Sequence, residues 1–76
     1  MNKMRRKRLD EAIELLNQAK DIIDECESEE EEYKDNMPEN MQNSERYENA
    51  DNACDNLMSA SESIDDIISS IEEAQS

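Results

Sequence analysis

The chain has 76 residues, 22 of them acidic and 8 basic, for a net charge of −14 at neutral pH, with no His, no Gly, one Pro and only two aromatic residues. One domain with a limited core is all this length supports. The missing Gly rules out an EF-hand loop and a Gly-rich phosphate cradle, and the missing His leaves no base to activate a Ser or Cys nucleophile. The composition therefore points away from an enzyme and calls for no cofactor. Two Cys without His also fall short of a structural zinc site, so no metal is expected.

The chain opens on a basic segment, Lys3, Arg5, Arg6, Lys7 and Arg8. Beyond Arg8 only Lys20, Lys34 and Arg46 stand against all 22 acids, leaving a body of net −19 (3 basic against 22 acidic). Such a body repels nucleic acid and anionic membranes and attracts basic surfaces. Asp10, Glu11 and Glu14 interrupt any apolar run after the basic start, so no signal peptide is read there. No stretch approaches a membrane span. A cytoplasmic location with reduced cysteines is the expectation. The basic start is expected to pair with Glu72 and Glu73 at the far end of the chain.

Helix one is predicted over about 4–34. Leu9, Ala12, Leu16, Ala19, Ile23, Cys26 and Tyr33 step by three and four, with Glu30 the polar interruption. That stride is the seam of packed, coiled-coil-like helices and argues against disorder. The linker, about 35–42, contains Pro38, which stops a continuous helix. Asn36 with Glu39 three positions on suggests a capping box and a short helical turn. Helix two is predicted over about 43–75, with Asn43 or Ser44 as N-cap. Its seam is Ala50, Ala53, Leu57, Ala60, Ile64, Ile67, Ile71 and Ala74, with Cys54 and Ile68 beside it.

A short connection makes the two helices antiparallel neighbours. With the chain folding near residue 40, facing residue numbers should sum to about 80. Tyr33 then meets Tyr47, Cys26 meets Cys54, Ile23 meets Leu57, Leu16 meets Ile64 and Leu9 meets Ile71. The predicted fold is all-α: an antiparallel two-helix hairpin. Leu15 and Ile22 fall outside the seam, so the apolar face is wider than two strands need. A homodimer forming a four-helix bundle would cover it. Facing Cys26 and Cys54 could approach disulfide geometry, but two small buried hydrophobes are the expected state in a reducing compartment.

The carboxylates Glu25, Glu29, Glu32, Glu48, Asp51 and Asp55 are the candidate partner-binding face. Helix one would be roughly 45 Å long, and duplex DNA carries a charge per ~1.7 Å. At net −14 the monomer has about half that linear density, and a dimer comes close to it. A carboxylate rod of this kind could occupy the basic channel of a nucleic-acid-binding protein. The competing expectation is a structural or regulatory module that binds through its apolar seam.

Two resemblances bear on these expectations. Glu29-x-x-Glu32 followed by Glu48-x-x-Asp51 is similar to the acidic Mg²⁺-binding pattern of the all-α nucleotide pyrophosphohydrolases (MazG-like), and the expected register sets Glu29 opposite Asp51 and Glu32 opposite Glu48. In a chain more than a quarter acidic such spacings arise readily, and without Trp, His or Gly little remains to build a nucleotide pocket. Separately, Arg8-Leu9-Asp10-Glu11-Ala12-Ile13, the segment from Met37 through Pro38 to Glu48, and the closing Ile-Ser-Ser-Ile-Glu-Glu-Ala resemble small acidic helical-hairpin proteins of phages and mobile elements of Gram-positive bacteria. That resemblance implies a bacterial host-cell context and supplies no activity of its own; by analogy, small acidic phage proteins often act against host defence or regulate host enzymes.

Overall fold

The computed structural model describes residues 1–76 and contains two long helices, α1 (Lys3–Asp35) and α2 (Glu45–Gln75), joined through a single 3₁₀ turn at Glu39–Met41. No strand is present. The helices pack antiparallel into a rod whose Cα extents are 59 × 15 × 12 Å.

Local chemistry sets the ends. The Asn2 side chain accepts the Arg5 amide at 2.8 Å and caps α1. Ser44 caps α2 by accepting the Tyr47 amide at 3.2 Å, with Glu45 and Glu48 in the first turn, where carboxylates favour the helix dipole. The Asn36–Glu39 capping box does not form. Asn36 has φ −86° and ψ 0°, a helical backbone, and its amide donates to the Glu32 carbonyl, so it ends α1. Pro38 precedes the 3₁₀ turn with no side-chain cap.

The seam of α2 runs through Tyr47, Ala50, Cys54, Leu57, Ser61, Ile64, Ile68 and Ile71, alternating steps of three and four. Ala50, Cys54 and Ser61 are its buried members. This differs from the expected face, because Cys54 and Ile68 lie within the seam, whereas Ile67 and Ala74 are exposed. In α1, Leu9, Leu16 and Ile23 turn inward, but after Ile23 the inward positions are Glu27, Glu30 and Lys34. Tyr33 is 47% exposed and Cys26 is exposed. The expected placement of both in the seam is thereby corrected. A straight helix of 3.6 residues per turn drifts by about 20° per heptad against a strict 3.5 stride. Past Ile23 that drift carries the inward face one residue on, to Glu27 and Lys34.

The register is also displaced. The three polar pairs that cross between the helices, Lys20–Asp65, Asp24–Ser61 and Lys34–Asp51, each have residue numbers summing to 85. The facing constant is thus higher than the expected 80, and Cys26 does not meet Cys54, both of which are free thiols. Met37 supplies the physical reason. It lies beyond α1 yet is only 8% exposed, three residues after Lys34, so it prolongs the inward face of α1 before the chain turns back.

Candidate interaction surfaces

The long edges of the rod differ in chemistry. Along one edge, Lys20 lies 3.2 Å from Asp24 and 3.8 Å from Asp65. The Ser61 hydroxyl donates to Asp24 at 2.6 Å. That bond, followed by the one from Lys20, holds the Asp24 carboxyl below its ordinary value, and the bond to Asp24 holds the Lys20 ammonium above its own. Nearer the turn, Lys34 reaches Asp51 at 3.1 Å and lies 5.9 Å from the centre of the Tyr47 ring. The Asp51 bond raises Lys34 in turn. Both lysines outside the basic start are thus used to clip the helices together. Sequence reasoning missed this edge. Its signal was Ser61, a hydroxyl between Leu57 and Ile64 at seam spacing.

Between these clips sits Glu27, whose Oε1 is buried without a partner. The neighbouring Glu31 carboxyl, one turn on, pushes the Glu27 carboxyl up, and burial adds to it. Cys54 is raised mainly by burial and next by Glu27. A thiol held in this way is a packing group and a weak nucleophile.

The opposite edge carries few polar clips. Near the turn, Tyr33 and Glu30 of α1 and Asn49 and Ala50 of α2 line one groove. About five turns further along each helix, at the same angular position, come Leu15 on α1 and Ile67 on α2. Leu15, Ile22 and Ile67 are 65%, 60% and 48% exposed. Half-buried Ala12, Ala19, Ala53 and Ala60 lie between them and the seam.

Every candidate carboxylate, Glu25, Glu29, Glu32, Glu48, Asp51 and Asp55, is exposed. They do not share one surface. Helical spacing sets Glu25, Glu29 and Glu32 on the outer side of α1, and Glu48 and Asp55 on the outer side of α2, across the width of the rod. Asp51 faces Lys34. The Glu29, Glu32, Glu48 and Asp51 quartet is therefore not assembled, and no group of three or more Cys, Asp or Glu side chains is arranged to hold a metal ion. Of the 22 acids, all but Asp24, Glu27 and Glu30 are exposed, and only Asp24, Asp51 and Asp65 pair with a cation. The five cations of the basic start make no ion pair, and those expected with Glu72 and Glu73 do not form.

The clefts are open grooves. One, of about 570 Å³, is lined by Asp10, Ile13, Glu14 and Asn17 against Glu72 and Gln75. Nothing in it pairs a nucleophile with a base. No helix is long and apolar enough to cross a membrane. In comparisons with known proteins, no family model, curated protein or solved structure matched the chain.

Proposed function

We propose that this chain is a non-enzymatic acidic interaction protein that binds a basic, nucleic-acid-handling protein and keeps nucleic acid from it. The carrying observation is the unneutralised carboxylate surface of a narrow rod. A net charge of −14 spread over 59 Å is about one charge per 4.2 Å. A single nucleic-acid strand carries one per ~3.4 Å and a duplex one per ~1.7 Å. The rod thus offers a strand-like charge density on a scaffold held by two helix-to-helix clips. A basic channel would meet it through long-range attraction and rim contacts, which salt screens. In this reading the chain acts inside a bacterial host cell on a host or defence protein, by analogy with the small acidic phage proteins that its sequence resembles.

The test is capture of partners from a bacterial lysate on the tagged chain. A basic nucleic-acid-binding protein should be retained at low salt, released at high salt and displaced by added DNA or RNA. Charge reversal at Glu25, Glu48 and Asp55 should weaken retention at least tenfold. A catch that resists salt, or that ignores those reversals, overturns the reading.

A second reading follows from the exposed Leu15, Ile22 and Ile67. In it the apolar edge is where a partner docks, and the charge serves solubility.

A further inference from the structure

We infer that the open apolar edge is a self-association surface, and that two copies pack across it with their α1 helices antiparallel, each basic start lying against the other's Glu-rich run. The inference does not depend on the nucleic-acid-mimic reading.

The residues of α1 on this edge form a second stripe at alternating steps of three and four: Arg5, Arg8, Ala12, Leu15, Ala19, Ile22, Cys26, Glu29 and Tyr33. Heptad spacing of this kind is what a helix offers to a neighbouring helix. The stripe is apolar in its middle and opposite in charge at its two ends. It is also close to palindromic in size about Ala19. Rotated by a two-fold axis through Ala19, Leu15 meets Ile22 of the other copy, Ala12 meets Cys26 and Arg8 meets Glu29. Arg5 then comes level with the Glu32 and Tyr33 pair. A two-fold interface must be self-complementary in this way. The facing register of α2 brings Ile67 beside the same axis.

Charge supplies the second argument. The first turn of α1 holds no acid, and cations there oppose the helix dipole. Glu29 to Glu32, near the other end of the same helix, oppose it with the reverse sign. Neither group is neutralised within the hairpin: Arg5, Arg8, Glu29 and Glu32 make no ion pair. An antiparallel second copy neutralises both groups together. A parallel copy would set arginines against arginines and glutamates against glutamates.

Area supplies the third. The hairpin exposes 5909 Å². A compact monomer of its 8.8 kDa mass would expose about 4,800 Å². The excess, about 1,100 Å², is more than the ~800 Å² that each partner buries in a standard interface.

The test is mass in solution by sedimentation equilibrium over a concentration series, with circular dichroism on every variant. The wild-type chain should approach twice 8.8 kDa. Leu15→Glu with Ile22→Glu should remain helical and give the monomer mass, since both side chains are already exposed. Arg5→Glu with Arg8→Glu should weaken the dimer at least tenfold, and so should Glu29→Arg with Glu32→Arg. The variant carrying all four reversals should regain it. A wild type that stays monomeric overturns the inference. So does a dimer indifferent to Leu15→Glu and Ile22→Glu, or a four-fold reversal that fails to restore association. Each mass is read without any partner protein, so failure here leaves the partner-capture result intact.

Discussion

At the scale of single residues, Asp24 and Glu27 carry opposite pH dependences one turn apart. Asp24 is held below its ordinary 3.8 by the Ser61 hydroxyl and Lys20. Its contribution is present above that value and is lost as the pH falls through the folded-state value beneath it. Glu27 is held above its ordinary 4.5 by Glu31 and burial. Folding therefore favours its protonated form, a contribution complete below 4.5 and lost as the pH rises through the raised value. Thermal unfolding followed by circular dichroism should give a higher midpoint near pH 5 than at pH 7. In Glu27→Gln the rise between pH 7 and 5 should shrink. A Ser61→Ala change should lower the midpoint by a few degrees at pH 7, and by less in acid once Asp24 loses its charge. The Ser61 pairing was not legible beforehand, because a heptad pattern identifies positions by apolarity and a seam hydroxyl reads as a gap. The cysteines misled for the converse reason. Both look apolar, but only Cys54 lies where the drifting stripe and the partner helix meet.

At the scale of elements, the helices were legible because their apolar stride is long and the one Pro lies between them. The class, two antiparallel helices, followed from that alone. The register did not. It depends on where the chain reverses, and Met37 extends the inward face of α1 past the point where α1 itself ends. Local chemistry at the return can be tested directly. Ser44 both caps α2 and donates to the Met41 carbonyl, joining the 3₁₀ turn to the helix. Ser44→Ala should cost about 1 kcal/mol, read from urea unfolding, and Ser44→Asp should recover most of the cap. In the middle of α2, Leu57→Ala removes a half-buried seam side chain. Its cost should fall at or below the low end of the ~2–5 kcal/mol seen for full burial.

At the scale of the whole molecule, net charge opposes compaction. No large side chain is fully buried, and only Met37, Ala50 and Cys54 form the buried apolar core. The folded rod must therefore hold its carboxylates close together with little apolar stabilisation in reserve. Added salt screens this repulsion over a Debye length of about 10 Å at 0.1 M. The unfolding midpoint should rise by several degrees between low and moderate ionic strength, even though the Lys20 and Lys34 clips are weakened. A midpoint that falls with salt would mean that the clips outweigh the repulsion. Of the candidate surfaces, the abundance of exposed acid could be read from composition. Its division between the outer sides of two helices could not, because that depends on which face each helix turns inward.

The unequal placement of the two thiols has one more consequence. Cys26 is exposed along α1, whereas Cys54 is 4% exposed within the seam. In chain dilute enough to be monomeric, a thiol-reactive label will mark Cys26 promptly but must wait for Cys54 until the helices part, and the parting rate depends on how often the seam opens. The native chain thus contains a built-in clock. The ratio of the two labelling rates, followed by mass spectrometry, measures the opening equilibrium of the hairpin without denaturant or substitution. Any ligand that grips both helices will slow the second mark and leave the first almost untouched, unless it also covers the edge on which Cys26 lies.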